Sequence, residues 1–533
     1  MSHDPLDRPS SRMSAGGPLS SRQVWLIFAG LMVGNFLSAL DTMVLVTALP
    51  TIVGDLGGRA QVAWVVTAYM LTSTTSAPIY GKLSDLYGRK RLYQGAIVIF
   101  VAGSAACGVA GSMGQLIAAR ALQGVGAGGL MVLSQAIIGD VVSPRERGRY
   151  QGAMGASMAV ASLAGPLVGG FFVDHASWRA TFFLNVPLGI LALVVTGVVL
   201  KLPARARVRH RFDVVGTVLV VGAATAALLV ATWGGERYAW TSPQIVGLGA
   251  AAVLATALLV GVERRAVEPV LPLRIFRSDV YAVALASTFI LSAGMWAAWV
   301  SMPIFLQVVT GASASASGLL TFPLLCTMTI TSILVGRAVS RTGRYRVFPI
   351  VGTALAVAAF ALYATLDAGS TRLEASVFMV VLGLGLGMWM QLMTTIGQNA
   401  VAYRDLGVAT STMSLSRSLG GSVGATVALA VLNSRLVDAL RERLTAGQRA
   451  GLGEAVLQGD PKAIAALEPG VRDDVVAAFA DGLHAAFLLA VPLGVVALVV
   501  ILFMRELPLR DEMPGAGDRG RDAPADVPVA ATT

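Results

Sequence analysis

Asp41 is the one acid that falls well inside a long apolar run of this chain. A carboxylate in hydrocarbon is costly, so it is expected to face the interior of a helix bundle, and the chemistry that suits it is taking up and releasing a proton. An acid in a water-filled mouth is the plainer alternative. Arg120 and Arg417 also fall inside apolar runs. Counting along helices that rise about 1.5 Å per residue, Asp41 lies about 10 Å from the outer end of its span. Arg120 lies about 8 Å from the outer end of a span running the other way, so the two share a depth. Burial favours the protonated acid and a guanidinium favours the ionised one. The expectation is that Arg120 holds Asp41 ionised in one state and releases it in another, against a fixed structural ion pair. Arg417, about 11 residues into its span, is placed near the midplane. There it could contact an anionic substrate, polarise a cavity or make a structural contact.

The elements that must position these charges are membrane helices. The 533 residues are 55% apolar and only 13% charged, which excludes an ordinary soluble domain. A net charge of +10 could point to nucleic acid, but most of the 40 Lys and Arg fall in the segments assigned to one side. That asymmetry is a topology signal, with basic loops and both termini in the cytoplasm. Cys107 and Cys326 lie in separate apolar runs, so neither a disulfide framework nor a metal site is expected.

With about 20 apolar residues needed per crossing, fourteen spans are expected. They lie near 24–47, 62–81, 93–111, 115–138, 150–173, 180–200, 212–233, 243–263, 280–305, 315–336, 346–366, 374–397, 407–432 and 482–504. The domain reading is a cytoplasmic tail 1–22, a six-helix half 23–200, a linker 201–279 with two extra spans, a six-helix half 280–505 and a tail 506–533. Both tails read as disordered. The basic stretch Lys201, Arg205, Arg207, Arg209 and Arg211 opens the linker, whose helix pair reads as a connector outside the main bundle. Loop 433–481 is the one long external loop. Leu436, Val437, Leu440 and Leu444, then Val475, Val476, Phe479 and Leu483, keep helical spacing through it. An amphipathic hairpin projecting about 18 Å is expected, with a plain spacer as the alternative.

A short basic turn, Gly81-Lys82-Leu83-Ser84-Asp85-Leu86-Tyr87-Gly88-Arg89, returns downstream as Gly336-Arg337-Ala338-Val339-Ser340-Arg341-Thr342-Gly343-Arg344. Matched turns in two apolar halves indicate an internal duplication. At this point the chain resembles the major facilitator superfamily, whose loop between spans two and three carries this Gly-x-x-x-Asp-x-x-Gly-Arg pattern. The second copy departs from it, with Ser340 in place of the acid. The resemblance implies a gate in which Asp85 faces the N-terminal end of a helix in the other half when the outside is open. Asp85 and Arg89 are also placed to pair across one helical turn.

The stretch around Asp41, through Thr42, Met43, Ala48 and Pro50, resembles the first-span signature of the fourteen-span drug:proton antiporter branch, as does Arg211-Phe212-Asp213-Val214-Val215-Gly216. Where that first-span signature has Asn, this chain has Val46, so part of the polar coordination of Asp41 is expected to be missing. Arg120-Ala121-Leu122-Gln123-Gly124 is similar to the superfamily's fourth-span motif. Gly165, Pro166, Gly169 and Gly170 match most of the fifth-span motif associated with proton-exchanging exporters, with Ala161 at its leading Gly. The resemblance implies a seal between the halves there; generic small-residue packing is the other reading.

Candidates for a substrate cavity are Trp64, Tyr69, Trp296, Trp299, Met390, Gln391 and Arg417, because Met and aromatic surfaces adapt to varied apolar ligands. The expectation is thus an all-α integral membrane protein of major facilitator fold, a proton-coupled antiporter that exports amphipathic drug-like compounds. It would sit as a monomer in a bacterial cytoplasmic membrane among lipids, without nucleic acid, catalytic residues, metal or cofactor beyond the proton gradient. No phosphate-binding Gly-x-x-x-x-Gly-Lys-Ser/Thr occurs, so ATP is not expected to drive it. A lipid or lipoconjugate exporter of the same fold is the main alternative, and a nutrient symporter or sensor a lesser one.

Overall fold

A computed structural model describes residues 21–57, 61–200, 213–235, 237–266 and 268–509. The tails up to residue 20 and beyond 509, and the basic stretch 201–212, lie outside the described residues. The first half comprises α1 (Ser21–Leu56), α2 (Val62–Tyr87), α3 (Arg89–Gly108), α4 (Met113–Val141), α5 (Pro144–His175), α6 (Trp178–Phe183) and α7 (Asn185–Val199). The inserted pair is α8 (Val214–Trp233) and α9 (Pro243–Glu263). The second half comprises α10 (Asp279–Ile304), α11 (Ala314–Thr342), α12 (Val347–Tyr363), α13 (Arg372–Asn399) and α14 (Leu406–Arg443). The short helices α15 (Ala446–Ala450), α16 (Glu454–Leu457) and α17 (Pro461–Ala465) lead to α18 (Pro469–Leu502). No strand occurs among the described residues beyond an isolated bridge between Gly234 and Tyr238.

Among the described residues, twelve stretches are long and apolar enough to cross a membrane, α6 and α7 together forming one of them. Two further helices complete the expected fourteen. α2 is too rich in Thr and Ser to score as apolar, and α12 is only 17 residues long. The break between α6 and α7 falls at Leu184, three residues before Pro187, which sits in the first turn of α7 where its missing N–H costs nothing.

Each half has its own apolar core. Leu31, Tyr93, Phe100 and Leu130 centre the first, and Tyr281, Phe360, Trp389 and Phe487 the second. The halves meet through two equivalent pairs, α2 with α14 and α5 with α11. The polar contacts between them cluster at the end carrying the basic turns. There Arg145 donates to the Ser340 carbonyl at 2.8 Å, Arg147 to Gln398 Oε1 at 3.2 Å, and Gln398 Nε2 to the Gln135 carbonyl at 3.4 Å. Both basic turns reverse on a glycine with positive φ, Gly88 at 93° and Gly343 at 70°, a region that L side chains rarely adopt. α8 leans on α2 and α14, and α9 packs on α8.

α14 and α18 overrun the expected spans by 11 and 13 residues, to Arg443 and back to Pro469. They project together and are capped by the short helices between them. Leu436, Leu440, Val456, Ile464, Val475 and Phe479 form a separate small core in this hairpin. Arg443 and Asp481 tie the pair at 2.6 Å.

Candidate functional site

α1 and α4 pack so that Asp41 and Arg120 face each other inside the first half, with side chains 2% and 1% exposed. Arg120 Nη1 donates to Asp41 Oδ2 at 2.6 Å and to Gln123 Oε1 at 2.6 Å. Gln123 Nε2 donates to Asp41 Oδ1 at 2.8 Å, and Asn185 Nδ2 donates to the same oxygen at 2.7 Å. Asn185 also donates to Ser104 Oγ at 2.9 Å, and Ser104 in turn to the Phe182 carbonyl at 2.8 Å. Both carboxylate oxygens are therefore satisfied, which offsets part of the desolvation cost of the pair. The Tyr69 ring lies 4.1 Å from the guanidinium carbon, and its hydroxyl is 3.1 Å from Ser38 Oγ.

Gln123, Ser104 and Asn185 are the participants that sequence reasoning missed. Gln123 could have been found, because it stands one turn from Arg120 on the same helix. Asn185 gives no local signal beyond its place at the start of α7. The expected gap in the coordination of Asp41 is filled by Asn185 and Gln123, from α7 and α4; the side chain of Val46 lies outside the described residues. Tyr69, expected at a substrate cavity, lies over Arg120 at the edge of the charge network. The ring of Trp64, another cavity candidate, meets that of Trp233 on α8 at 5.5 Å in an edge-on contact.

At the basic end Asp85 reaches across the seam. Its carboxylate accepts the backbone N–H of Gly407 at 3.3 Å and of Val408 at 3.2 Å, the first turn of α14. A negative charge at a helix N-terminus is a favourable partner for the orphan N–H groups and the helix dipole. Arg89 pairs with Asp85 at 3.2 Å and lies 2.6 Å from Asp140 at the end of α4. The second contact is ionic only, because the Arg89 Nε–H is not aimed at the oxygen. Gly81 makes the close approach possible: a Cβ there would lie 2.6 Å from the Gly407 carbonyl and 2.8 Å from Ser411 Cβ. In the second basic turn Ser340 offers only its carbonyl, and the charge comes from Arg145 of the opposite half.

On α5, a Cβ at Gly165 would collide with Met43 Cβ, and one at Gly169 with Thr47 Oγ1. These glycines press against α1 of their own half, not against the other half, so any seal they make is on the Asp41 helix. Gly170 has nothing within 4 Å of its would-be Cβ, and the side chain of Pro166 lies outside the described residues. An apolar cleft of about 450 Å³ opens between α1, α5 and α7, with Phe36, Leu40, Val168, Phe171 and Leu188 in its wall.

In the second half Trp296 lies against Gly421 of α14, and its ring centroid is 6.4 Å from that of Trp299, which is 37% exposed. Met390 and Gln391 on α13 are half-buried, and Gln391 Oε1 is enclosed without a partner. Arg417 donates from Nη2 to Thr394 Oγ1 at 3.0 Å.

Two six-helix halves meeting at a polar seam, with a buried acid–guanidinium pair in one of them, define a membrane transporter. The chain belongs to the Major Facilitator Superfamily, whose family profile matches residues 31–425. It is 36% identical over 527 residues to the multidrug transporter protein MdtP of Bacillus subtilis (strain 168), covering 94% of this chain and 96% of that one. It is 40% identical over 519 residues to an uncharacterized MFS-type transporter of Mycobacterium tuberculosis (strain ATCC 25618 / H37Rv), covering 97% of this chain and 74% of the other. Among solved structures, the proton:xylose symporter XylE bound to 6-bromo-6-deoxy-D-glucose matches with a TM-score of 0.61 at 15% identity, over 91% of this chain and 97% of that one. At that identity the likeness is one of fold.

Proposed function

We propose that this transporter exports amphipathic drug-like compounds across a bacterial cytoplasmic membrane in exchange for protons, by rocking of its two halves. The multidrug name of the Bacillus subtilis relative supports the substrate class. The observation that carries the coupling is the enclosed Asp41–Arg120 pair, the acid being held by three side chains from two other helices. Protonating Asp41 would cancel its charge, loosen Arg120 and Gln123, and so connect a proton to the packing of α1 against α4 and α7. With the basic end in the cytoplasm, as the distribution of Lys and Arg argues, the seam at Asp85 and Gly407 would close the inner side, which supports reading this arrangement as an outward-facing state. In that state Asp41 would take a proton from outside.

The test is transport into everted vesicles of reconstituted protein. A fluorescent amphiphile should accumulate when the vesicle interior is acid and stop when the proton gradient is collapsed. Accumulation that is indifferent to the gradient would rule out the exchange.

The folded hairpin of α14 and α18 and the lateral cleft beside Leu40 favour a second reading, export of a lipid or lipoconjugate whose acyl chain needs a path past the membrane face. Replacing residues 446–467 by a short turn separates the two: drug export should survive it, and lipid export should not.

A further inference from the structure

Arg417 is a buried cation for which the described residues supply no counter-charge. It is 8% exposed, and its Nε is enclosed without a hydrogen-bond partner. Its one hydrogen bond is to the neutral hydroxyl of Thr394. Nη1 makes no bond and is not enclosed, so this edge of the guanidinium is the accessible one. No carboxylate of the described residues pairs with it, and the sequence explains why. The acids of the second half stand at helix ends or in loops, as Asp279, Asp367, Glu374, Asp405 and Glu506 do, or in the hairpin beyond the spans, from Asp438 to Asp481. Asp41 is the one acid at membrane depth, and Arg120, Gln123 and Asn185 occupy it. A buried charge without a partner is costly and persists where something else uses it.

The surroundings indicate what would use it. Gly420 and Gly421, one turn further along the same face of α14, press on Phe289 and Trp296 of α10. The contact at Gly420 is with the Phe289 backbone and that at Gly421 with the half-buried Trp296 ring, so an indole stands against α14 one turn from Arg417. Gln391, one turn before Thr394 on α13, adds its enclosed and unpartnered carbonyl oxygen. A guanidinium corner near an aromatic ring suits an organic anion: the carboxylate, sulfonate or phosphate would meet Nη1, and the apolar body would lie on the ring.

We propose that Arg417 is the anion-recognition group of the transport site, held in place by Thr394, and that the preferred substrates are amphiphiles bearing one negative charge. This rests on the export reading and adds the substrate class to it. Asp41 and Arg120 cancel each other, so the bound anion neutralises the one uncompensated charge at membrane depth among the described residues.

The test is equilibrium binding of three matched fluorophores to purified full-length protein in phosphatidylcholine nanodiscs: pyrenebutyrate, its amide and a pyrenebutyl trimethylammonium. The wild type should bind the carboxylate about tenfold or more tightly than the amide, and the ammonium most weakly. Arg417→Gln should level the three, Arg417→Lys should keep a reduced preference for the anion, and Thr394→Val should weaken it without removing it. A merely structural Arg417 would lower the thermal stability of these variants and leave the ranking unchanged. A wild type that binds the amide or ammonium as tightly as the carboxylate overturns the proposal. Adding phosphatidylglycerol locates the source of the anion. Competition with pyrenebutyrate, and retention of this lipid by wild type but not by Arg417→Gln, assigns the site to a lipid headgroup; no competition assigns it to a free amphiphile. Proton-driven transport of the ammonium without preference for the anion would overturn this inference and leave export standing. Anion-selective binding with no transport of any of the three would do the reverse.

Discussion

Asn185 donates to the same carboxylate oxygen of Asp41 that Gln123 does, at 2.7 and 2.8 Å, leaving the other oxygen to Arg120. Two helices of the first half thus converge on one acid carried by a third. A proton arriving there has to displace hydrogen bonds from α4 and α7 together, which is what would make protonation a conformational event.

Breaking that pair from one side should be severe. Asp41→Leu leaves Arg120 buried without a counter-ion, and Arg120→Met leaves the acid; each should destabilise by about 3–5 kcal/mol. The double variant should recover most of the loss while remaining inactive, because two apolar side chains of similar volume replace two cancelling charges. Thermal unfolding of the four proteins in one detergent reads the cycle. Additive losses would show that the two residues do not act as a pair.

The seam at the basic end can be opened in two physically different ways. Asp85→Ala removes a charge and two backbone acceptor contacts from the start of α14 and should shift the equilibrium away from the closed seam by about 1–2 kcal/mol. Gly81→Ala keeps the charge but drives a methyl group into the Gly407 carbonyl, 2.6 Å from its Cβ position. Spin labels at the exposed Tyr87 and Arg404 should report longer distances in both variants. High salt should reduce the difference between Asp85→Ala and wild type more than that between Gly81→Ala and wild type.

Gly169 meets α1 within one helical turn of Met43, so a side chain there should pry α5 from the helix that bears Asp41. Gly169→Val is expected to let protons leak through reconstituted protein without substrate, whereas Gly170→Val, at an open position, should not. Passive pH equilibration of liposomes measures both.

Acid should loosen the opposite end of the first half. Asp55, in the last turn of α1 beyond its membrane-spanning part, accepts Trp178 Nε1–H at 2.9 Å and Arg179 Nη1–H at 2.7 Å. The Trp178 bond first, then the Arg179 bond and its charge, hold this carboxyl below its usual range. A folded-state value below the unfolded one contributes stability above the ordinary carboxylate pKa of about 3.9 and loses it as the pH falls through the depressed value. The melting-temperature gap between wild type and Asp55→Asn should therefore be small at neutral pH, because the pair is about half exposed, and close on acidification. A gap that widens in acid would contradict the assignment.

Much of this architecture was legible because bilayer thickness and helical periodicity write themselves into a sequence. The fourteen helices, the paired basic turns, the shared depth of Asp41 and Arg120 and the overrun of α14 and α18 all follow from local composition and spacing. What escaped was set by packing between distant segments. Asn185 is 144 positions from Asp41, and nothing near it marks it as a partner. Trp64 reads as an aromatic of the central spans, and that its ring meets Trp233 of the inserted pair is visible only in the packing. Gly165 and Gly169 were legible as small residues made for close approach; which helix they approach, α1 rather than the other half, depends on the turn of α5 about its axis.

The central claim is that Asp41 exchanges its proton for substrate, and proton release measures it most directly. Purified wild-type protein in weakly buffered detergent, loaded at acid-side pH and given an amphiphilic substrate, should release protons in proportion to the substrate bound. Asp41→Asn, still binding the same substrate, should release none. Equal release from both proteins would place the exchanged proton elsewhere and contradict the account.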